Sequence, residues 1–183
     1  WGVLLTDADG PRYLSFGEFA HLTADREVEL ARAFALWLVD LADRHPEVLV
    51  FHYSDYETVH LRRLADRAGD PVLHAACDLI KDHFVDLFGY VRENFVGVDG
   101  LGLKVVATRG ARFAWRDEEP GGLASQSWFN DAVDGATPDA RAAARLRVLE
   151  YNEDDVRATL AVRGWLTGFD TAGPQGATVN QEA

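Results

Sequence analysis

The sequence predicts an α/β fold, and three observations carry that expectation. An opening strand, Trp1 to Leu5, is followed by a turn dense in turn formers, Thr6-Asp7-Ala8-Asp9-Gly10-Pro11, and by Arg12 to Phe16, which alternates around Tyr13 and Leu14 as the return strand of a hairpin. A long amphipathic helix comes next. After it, Val48-Leu49-Val50-Phe51 forms the short continuous apolar run of a buried parallel strand. Helix, tight connection and buried strand in that order are the mark of a sheet with helices packed on it.

Each element has its own warrant. Thr23 to Arg44 is the first strong helix, because Val28, Ala31, Phe34, Ala35, Leu38, Leu41 and Ala42 recur at helical spacing. Thr23 suits the N-cap, and His45-Pro46 ends the segment. Asp55 to Ala68 is the next helix, anchored by Val59, Leu61 and Leu64 and stopped by Gly69-Asp70-Pro71. Val72 to Phe88 reads as helix followed by an extended stretch around Val85-Asp86-Leu87-Phe88. Gly97 to Gly102 is a turn, and Gly102 to Ala107 begins another short element. Arg109 to Ser127, rich in Gly, Arg and acids, is expected to be loop. Pro138 to Trp165 is the longest helical stretch, with Pro138 in its first turn and Leu146, Leu149, Val156, Leu160 and Trp165 as contacts. Residues 167–183 lack periodicity and are expected to be a disordered tail.

Composition narrows the function classes. The 183 residues are 48% hydrophobic and 26% charged, a globular balance with length for one domain and one sizeable core. The net charge of −12 argues against a simple nucleic-acid-binding module, which is usually basic. It leaves room for an enzyme that gathers carboxylates around metal ions and draws its phosphate affinity from them. No apolar run has the ~18 residues of a membrane span, and the first residues lack the basic region of a secretory signal. A single cysteine, Cys77, rules out an internal disulfide framework and reads as core; with the rest, it points to a reducing, cytoplasmic setting. The chain has no Met and opens on Trp1, so it is expected to be an excised piece of a longer product, beginning inside a sheet whose earlier strand lies upstream.

Two segments hold the candidate chemistry. Phe51-His52-Tyr53-Ser54-Asp55-Tyr56-Glu57 sits where a buried strand ends and a helix begins, and ligand sites of open α/β sheets gather at the carboxyl ends of strands. Read on its residues alone, Glu57 is either a site acid or an acid complementing a helix dipole. In Tyr151-Asn152-Glu153-Asp154-Asp155-Val156, Tyr151 and Asp155 stand at i and i+4 and share a helix face. A phenol beside a carboxylate suits metal-assisted hydrolysis: the carboxylate holds a divalent ion and the phenol orients water. The bland alternative is a solvated acidic patch with Tyr151 half-buried.

Together the segments resemble the second and third motifs of the DEDD 3′–5′ exonucleases of the tyrosine subtype. They are most similar to the RNase H-like domain of the RecB-like nucleases, which share the phrases His52-Tyr53-x-x-Tyr56-Glu57, Asp86-Leu87, Leu103-Lys104 and Tyr151-Asn152-x-Asp154-Asp155-Val156. The likeness runs from about residue 1 to residue 166. It implies an RNase H-like domain over 1–166, with a mixed sheet flanked by helices and its first strand missing from this chain. It also implies two Mg²⁺ or Mn²⁺ ions ~3.5–4 Å apart, one activating water and one stabilising the leaving oxygen. By the same resemblance Glu57 is the second-motif acid, Asp155 the third-motif metal ligand, and Tyr151 the residue that positions water. Glu57 departs from the Asp of most DEDD enzymes. The first motif, Asp-x-Glu on the first strand, is absent: Asp7 and Asp9 lie in the Gly-Pro turn, so the motif is expected upstream of Trp1. With two carboxylates left, metal binding and hydrolysis are expected to be weak.

Other residues have two readings each. Lys104 meets a substrate phosphate or is a solvated lysine at an element edge. His52 orients a ligand or phosphate, or is a satisfied structural histidine. Asp86 is better read as a cap, and Asp154 as a group supporting its neighbour. Arg109, Arg112 and Arg116, interleaved with Phe113 and Trp115, form the best basic-aromatic stretch; they touch nucleic acid, or the aromatics anchor a loop while the arginines balance Asp117, Glu118 and Glu119. His52 and His60 are too far apart for a His-x-x-x-His pair, so zinc is not expected. Two functions follow: a metal-dependent 3′–5′ exonuclease-like domain acting on DNA or RNA, or a non-catalytic module docking nucleic acid or a partner domain of the same parent chain. Neither involves a membrane.

Overall fold

The computed structural model describes residues 1–118 and 122–172. β1 (Gly2–Asp7) and β2 (Gly10–Ser15) form an antiparallel hairpin with Asp7 opposite Gly10. Its Ala8-Asp9 link closes because Gly10 takes φ 100° and the Asp9 N–H donates to Asp7 Oδ1 at 2.9 Å. α1 (Ala24–Arg44) follows, then β3 (Val50–His52), α2 (Tyr56–Ala68), α3 (Pro71–Asp78), α4 (Ile80–His83), β4 (Phe84–Asp86), α5 (Leu87–Asn94), α6 (Leu103–Arg109), α7 (Gly122–Asp134) and α8 (Pro138–Ala172). β3 pairs parallel with β4, Phe51 opposite Val85 and His52 opposite Asp86. Helices thus flank a small amount of sheet, and both strand orientations occur, in two separate pairs.

Most of the buried apolar residues fall into two clusters, on either side of β3. Ala31, Phe34, Ala35 and Leu38 of α1 meet Leu61, Leu64 and Ala65 of α2 and Leu73 and Ala76 of α3, with Trp1 and Cys77 packed against them. On the other side of β3, Leu87 and Val91 of α5 meet Val106 and Ala107 of α6 and Ala158, Val162 and Leu166 of α8. The two strands run between the clusters, so their ends are where residues from both halves meet. Burial holds Cys77 as a core thiol and pushes its pKa up.

Helix ends follow local chemistry. Thr23 Oγ1 accepts from the Arg26 N–H at 3.2 Å, and Asp25 and Glu27 lie in the first turn of α1. Thr23→Ala is expected to lower stability by ~1 kcal/mol, read as a shift in the urea midpoint with an unchanged slope; an unmoved midpoint would show that the cap is idle. Asp70 caps α3, accepting from Val72 and Leu73, with Pro71 at the start.

Several boundaries differ from expectation for identifiable reasons. The strand expected at 48–51 lies at Val50–His52, because the Val48 N–H donates to His45 O in a turn and Val48 O contacts the His83 ring. The extended stretch expected around 85–88 ends at Asp86, which caps α5 from within the predicted strand. The element at 102–107 is helix α6. The loop expected over 109–127 holds for 110–118, residues 119–121 lie outside the described residues, and 122–127 belong to α7, where Trp128 and Ala132 are buried one helical turn apart, a spacing hidden behind Gly121-Gly122 in the sequence. α8 continues past Trp165 to Ala172, into the segment expected to be a tail, and 173–183 lie outside the described residues. Among the described residues no helix is long and apolar enough to cross a membrane.

Candidate functional site

The site begins where β3 runs out. Between His52 and α2 the chain turns through Ser54, a non-glycine residue at φ 75°. Asp86 stabilises that turn. Its Oδ1 accepts from the Ser54 N–H and from the Phe88 N–H, both at 2.9 Å, so one carboxylate ties the end of β3 to the start of α5. Asp86 is thus a structural strut, as the capping reading expects. His52 Nδ1 lies 2.5 Å from Ser54 O, a contact in which Nδ1 donates to the carbonyl.

The turn delivers Glu57 to the first turn of α2. Residue exposure and the carboxyl's behaviour point in different directions here: Glu57 is exposed as a residue, yet its pKa is raised. Desolvation is the largest cause, the His52 ring opposes it, and the carboxylates of Asp155 and Asp86 add to it.

α8 supplies the other half. Asn152 Oδ1 accepts from the Tyr13 hydroxyl at 2.6 Å, and a Cβ on Gly2 would stand 1.9 Å from that oxygen. A glycine at position 2 therefore lets α8 close against the hairpin and sets the depth of the next turn, where Asp155 lies. The Asp155 carboxyl is raised first by burial; the Trp115 indole N–H, which donates to Oδ1 at 2.9 Å, the Lys104 charge and the Tyr151 hydroxyl pull the other way. Tyr151 is pushed up to about 12, by burial first and then by Asp155, so its hydroxyl keeps its proton throughout the neutral range. Lys104 Nζ donates to the Tyr151 hydroxyl at 2.6 Å and lies 4.7 Å from its ring centroid. Burial lowers the Lys104 pKa, and Asp155 opposes that shift.

Glu57, His52 and Asp155 line one groove of about 1180 Å³, floored partly by Leu103 and Val156. β1 and β3 both border it, and among the described residues β1 pairs only with β2 and β3 only with β4. Tyr151 and Lys104 reach the groove through Asp155. Glu57, distant in sequence, is thus linked electrostatically to the Tyr151–Asp155 pair of α8: Asp155 acts on both of the others.

Among the described residues no three His, Cys, Asp or Glu side chains gather as a metal-ligand cluster. Glu57 and Asp155 match a hard divalent cation in donor type, since each is a carboxyl group lining the same groove. They would supply two ligands of one such ion and fall short of a two-ion set.

The basic-aromatic stretch has another use. Arg109 pairs with Asp99. Trp115 is engaged with Asp155, and Phe113 meets it edge-on at 5.0 Å. Arg116 reaches the α8 acids rather than Asp117: its backbone N–H and Nε donate to the two oxygens of Asp154 at 2.8 and 2.9 Å, and Nη2 lies 3.0 Å from Glu153. Asp117 pairs with Arg147 instead. Asp154 is 4% exposed, a burial no spacing rule announces. Asn152 and Trp115 were not singled out by the sequence as site-building residues; the Tyr-Asn-x-Asp-Asp phrase was the only signal for Asn152.

An α/β domain with two small strand pairs, and an acidic groove at the end of its parallel pair, is the class of protein these features define. Residues 1–167 match the RNase_H_2 family model of the RNase H superfamily, and the chain belongs to that superfamily. No curated protein and no solved structure matches it.

Proposed function

We propose that this chain is the RNase H-like part of a metal-dependent 3′–5′ exonuclease of the DEDD tyrosine subtype, similar to the RecB-like nucleases, acting on DNA or RNA phosphodiesters. The observation that carries the reading is that Glu57 and Asp155 line one groove, with the Tyr151 hydroxyl, held by Lys104, one helical turn from Asp155 on the same face. In this reading Glu57 and Asp155 hold Mg²⁺ or Mn²⁺, which when bound polarises a phosphoryl oxygen and activates water. Tyr151, protonated at neutral pH, donates or accepts a hydrogen bond to orient that water. Lys104 fixes the Tyr151 hydroxyl and brings positive charge beside it, and His52 Nε2 faces an incoming polar group. Glu57 and Asp155 would supply two of the carboxylates that a two-ion site takes.

The shortfall of carboxylates among the described residues favours one second reading, a non-catalytic module that docks nucleic acid or a partner domain. Tyr151→Phe separates the two. In the full-length gene product it should slow Mn²⁺-dependent nucleotide release about 100-fold, at the low end of general acid–base effects, with little change in Mn²⁺ affinity. Equal rates in a single-turnover assay would show the hydroxyl to be idle, and no metal-dependent release from the wild type would favour docking.

A further inference from the structure

We infer that Trp115 is a positioning residue for Asp155: its indole N–H holds the carboxylate in the orientation a cation requires. The inference rests on the reading of Asp155 as a metal ligand. The loop between α6 and α7 leaves α6 through Arg112, a non-glycine residue at φ 55°, and the Phe113 N–H donates to Ala107 O at 2.9 Å. That turn lays Phe113 and Trp115 against the cluster formed by α5, α6 and α8. Two consecutive loop residues then take two consecutive carboxylates of α8. Arg116 takes both oxygens of buried Asp154, and Trp115 takes one oxygen of Asp155.

The division of labour follows from geometry. Successive residues of a helix point about 100° apart, so Asp154 turns into the loop while Asp155 turns toward the groove. Arg116 neutralises Asp154 and locks the loop in place. An indole has one donor, no acceptor and no charge. It fixes Asp155 Oδ1 without cancelling the negative charge, and leaves Oδ2 for the groove. A carboxylate on an open helix face would otherwise sample several rotamers and would have to be ordered when a cation arrives. Partners of this kind around a metal ligand typically contribute 10–100-fold in affinity.

The test uses the full-length protein with Mg²⁺ and Mn²⁺ alone as probes. Trp115→Phe keeps a ring against Phe113 and removes the N–H. Of the five tryptophans, the indole ¹H–¹⁵N resonance missing from this variant identifies Trp115 in the wild type. That resonance should move in Asp155→Asn and on Mg²⁺ addition. Mn²⁺ affinity, measured by electron paramagnetic resonance, should fall about 10–100-fold in Trp115→Phe, with the turnover rate largely recovered at saturating Mn²⁺. Unchanged affinity in a wild type that does bind Mn²⁺ overturns the positioning role alone, as does an indole resonance indifferent to Asp155→Asn. A wild type that binds no Mn²⁺ overturns both this role and the metal-ligand reading beneath it.

Discussion

Asp155→Asn, made in the full-length gene product, is expected to reduce Mn²⁺-dependent release of nucleotides from a 3′ end by 100-fold or more while leaving the fold intact. The loss should exceed the 10–100-fold typical of groups that merely support a ligand, because the variant removes the ligand charge itself. The fold survives for two reasons. The Asn side-chain oxygen can still accept the Trp115 indole N–H, and the groove already disfavours a charge at this position. The sign of the linkage agrees. A carboxyl whose pKa is raised on folding binds more protons in the native state, so its ionisation costs stability as pH rises through the interval between unfolded and folded values. A neutral amide carries no such cost, and the melting temperature at neutral pH should hold or rise. Undiminished release would refute the assigned role; a collapsed melting transition would mean that the loss reports unfolding.

Arg116→Ala is expected to be the most destabilising of the substitutions considered, by about 2–3 kcal/mol. Removing one partner of a fully buried ion pair costs ~3–5 kcal/mol. Two features lower that figure here: the guanidinium is 46% exposed, and the backbone N–H of residue 116 still reaches Asp154. Asp154 itself has little water to fall back on, since only 5% of its side chain is exposed. The corresponding fall in melting temperature is roughly 4–12 °C for a chain of this size. Arg44→Ala supplies the contrast. Arg44 pairs with Asp40 at 2.5 Å on an open helix face, both side chains more than half exposed, and its loss should cost ~0.5 kcal/mol or less. Equal melting shifts in the two variants would show that burial of Asp154 contributes nothing.

The legible parts of this molecule were those written in local periodicity. α1 starts and stops where Thr23 and His45 say it should, and α2 likewise ends at Gly69, which sits at φ 60° as a left-handed cap. The meeting of Glu57 with Asp155 was legible only through motif resemblance, because no short-range rule brings residues so distant in sequence into one groove. What escaped was tertiary. β3 moved along the apolar run because Val48 was captured by the turn after α1 and by His83, neither of which a strand pattern can register. α7 escaped because the glycines at its start mask the burial of Trp128 and Ala132. Arg116 read as a phosphate-seeking residue or as the counterion of its sequence neighbours. Its partners prove to be Asp154 and Glu153 on α8, a distance along the chain that charge counting cannot bridge.

α8 is a single helix of 35 residues, about 52 Å long, and within about one turn, Asn152 to Asp155, it serves three neighbours with different faces. Asn152 meets the hairpin, Asp154 meets the α6–α7 loop, Asp155 meets the groove, and Ala158 and Val162 face the core. Sliding or rotating this one shaft would misalign every appointment at once. The pitch of the helix, as much as any individual side chain, therefore sets where the groove acid lies.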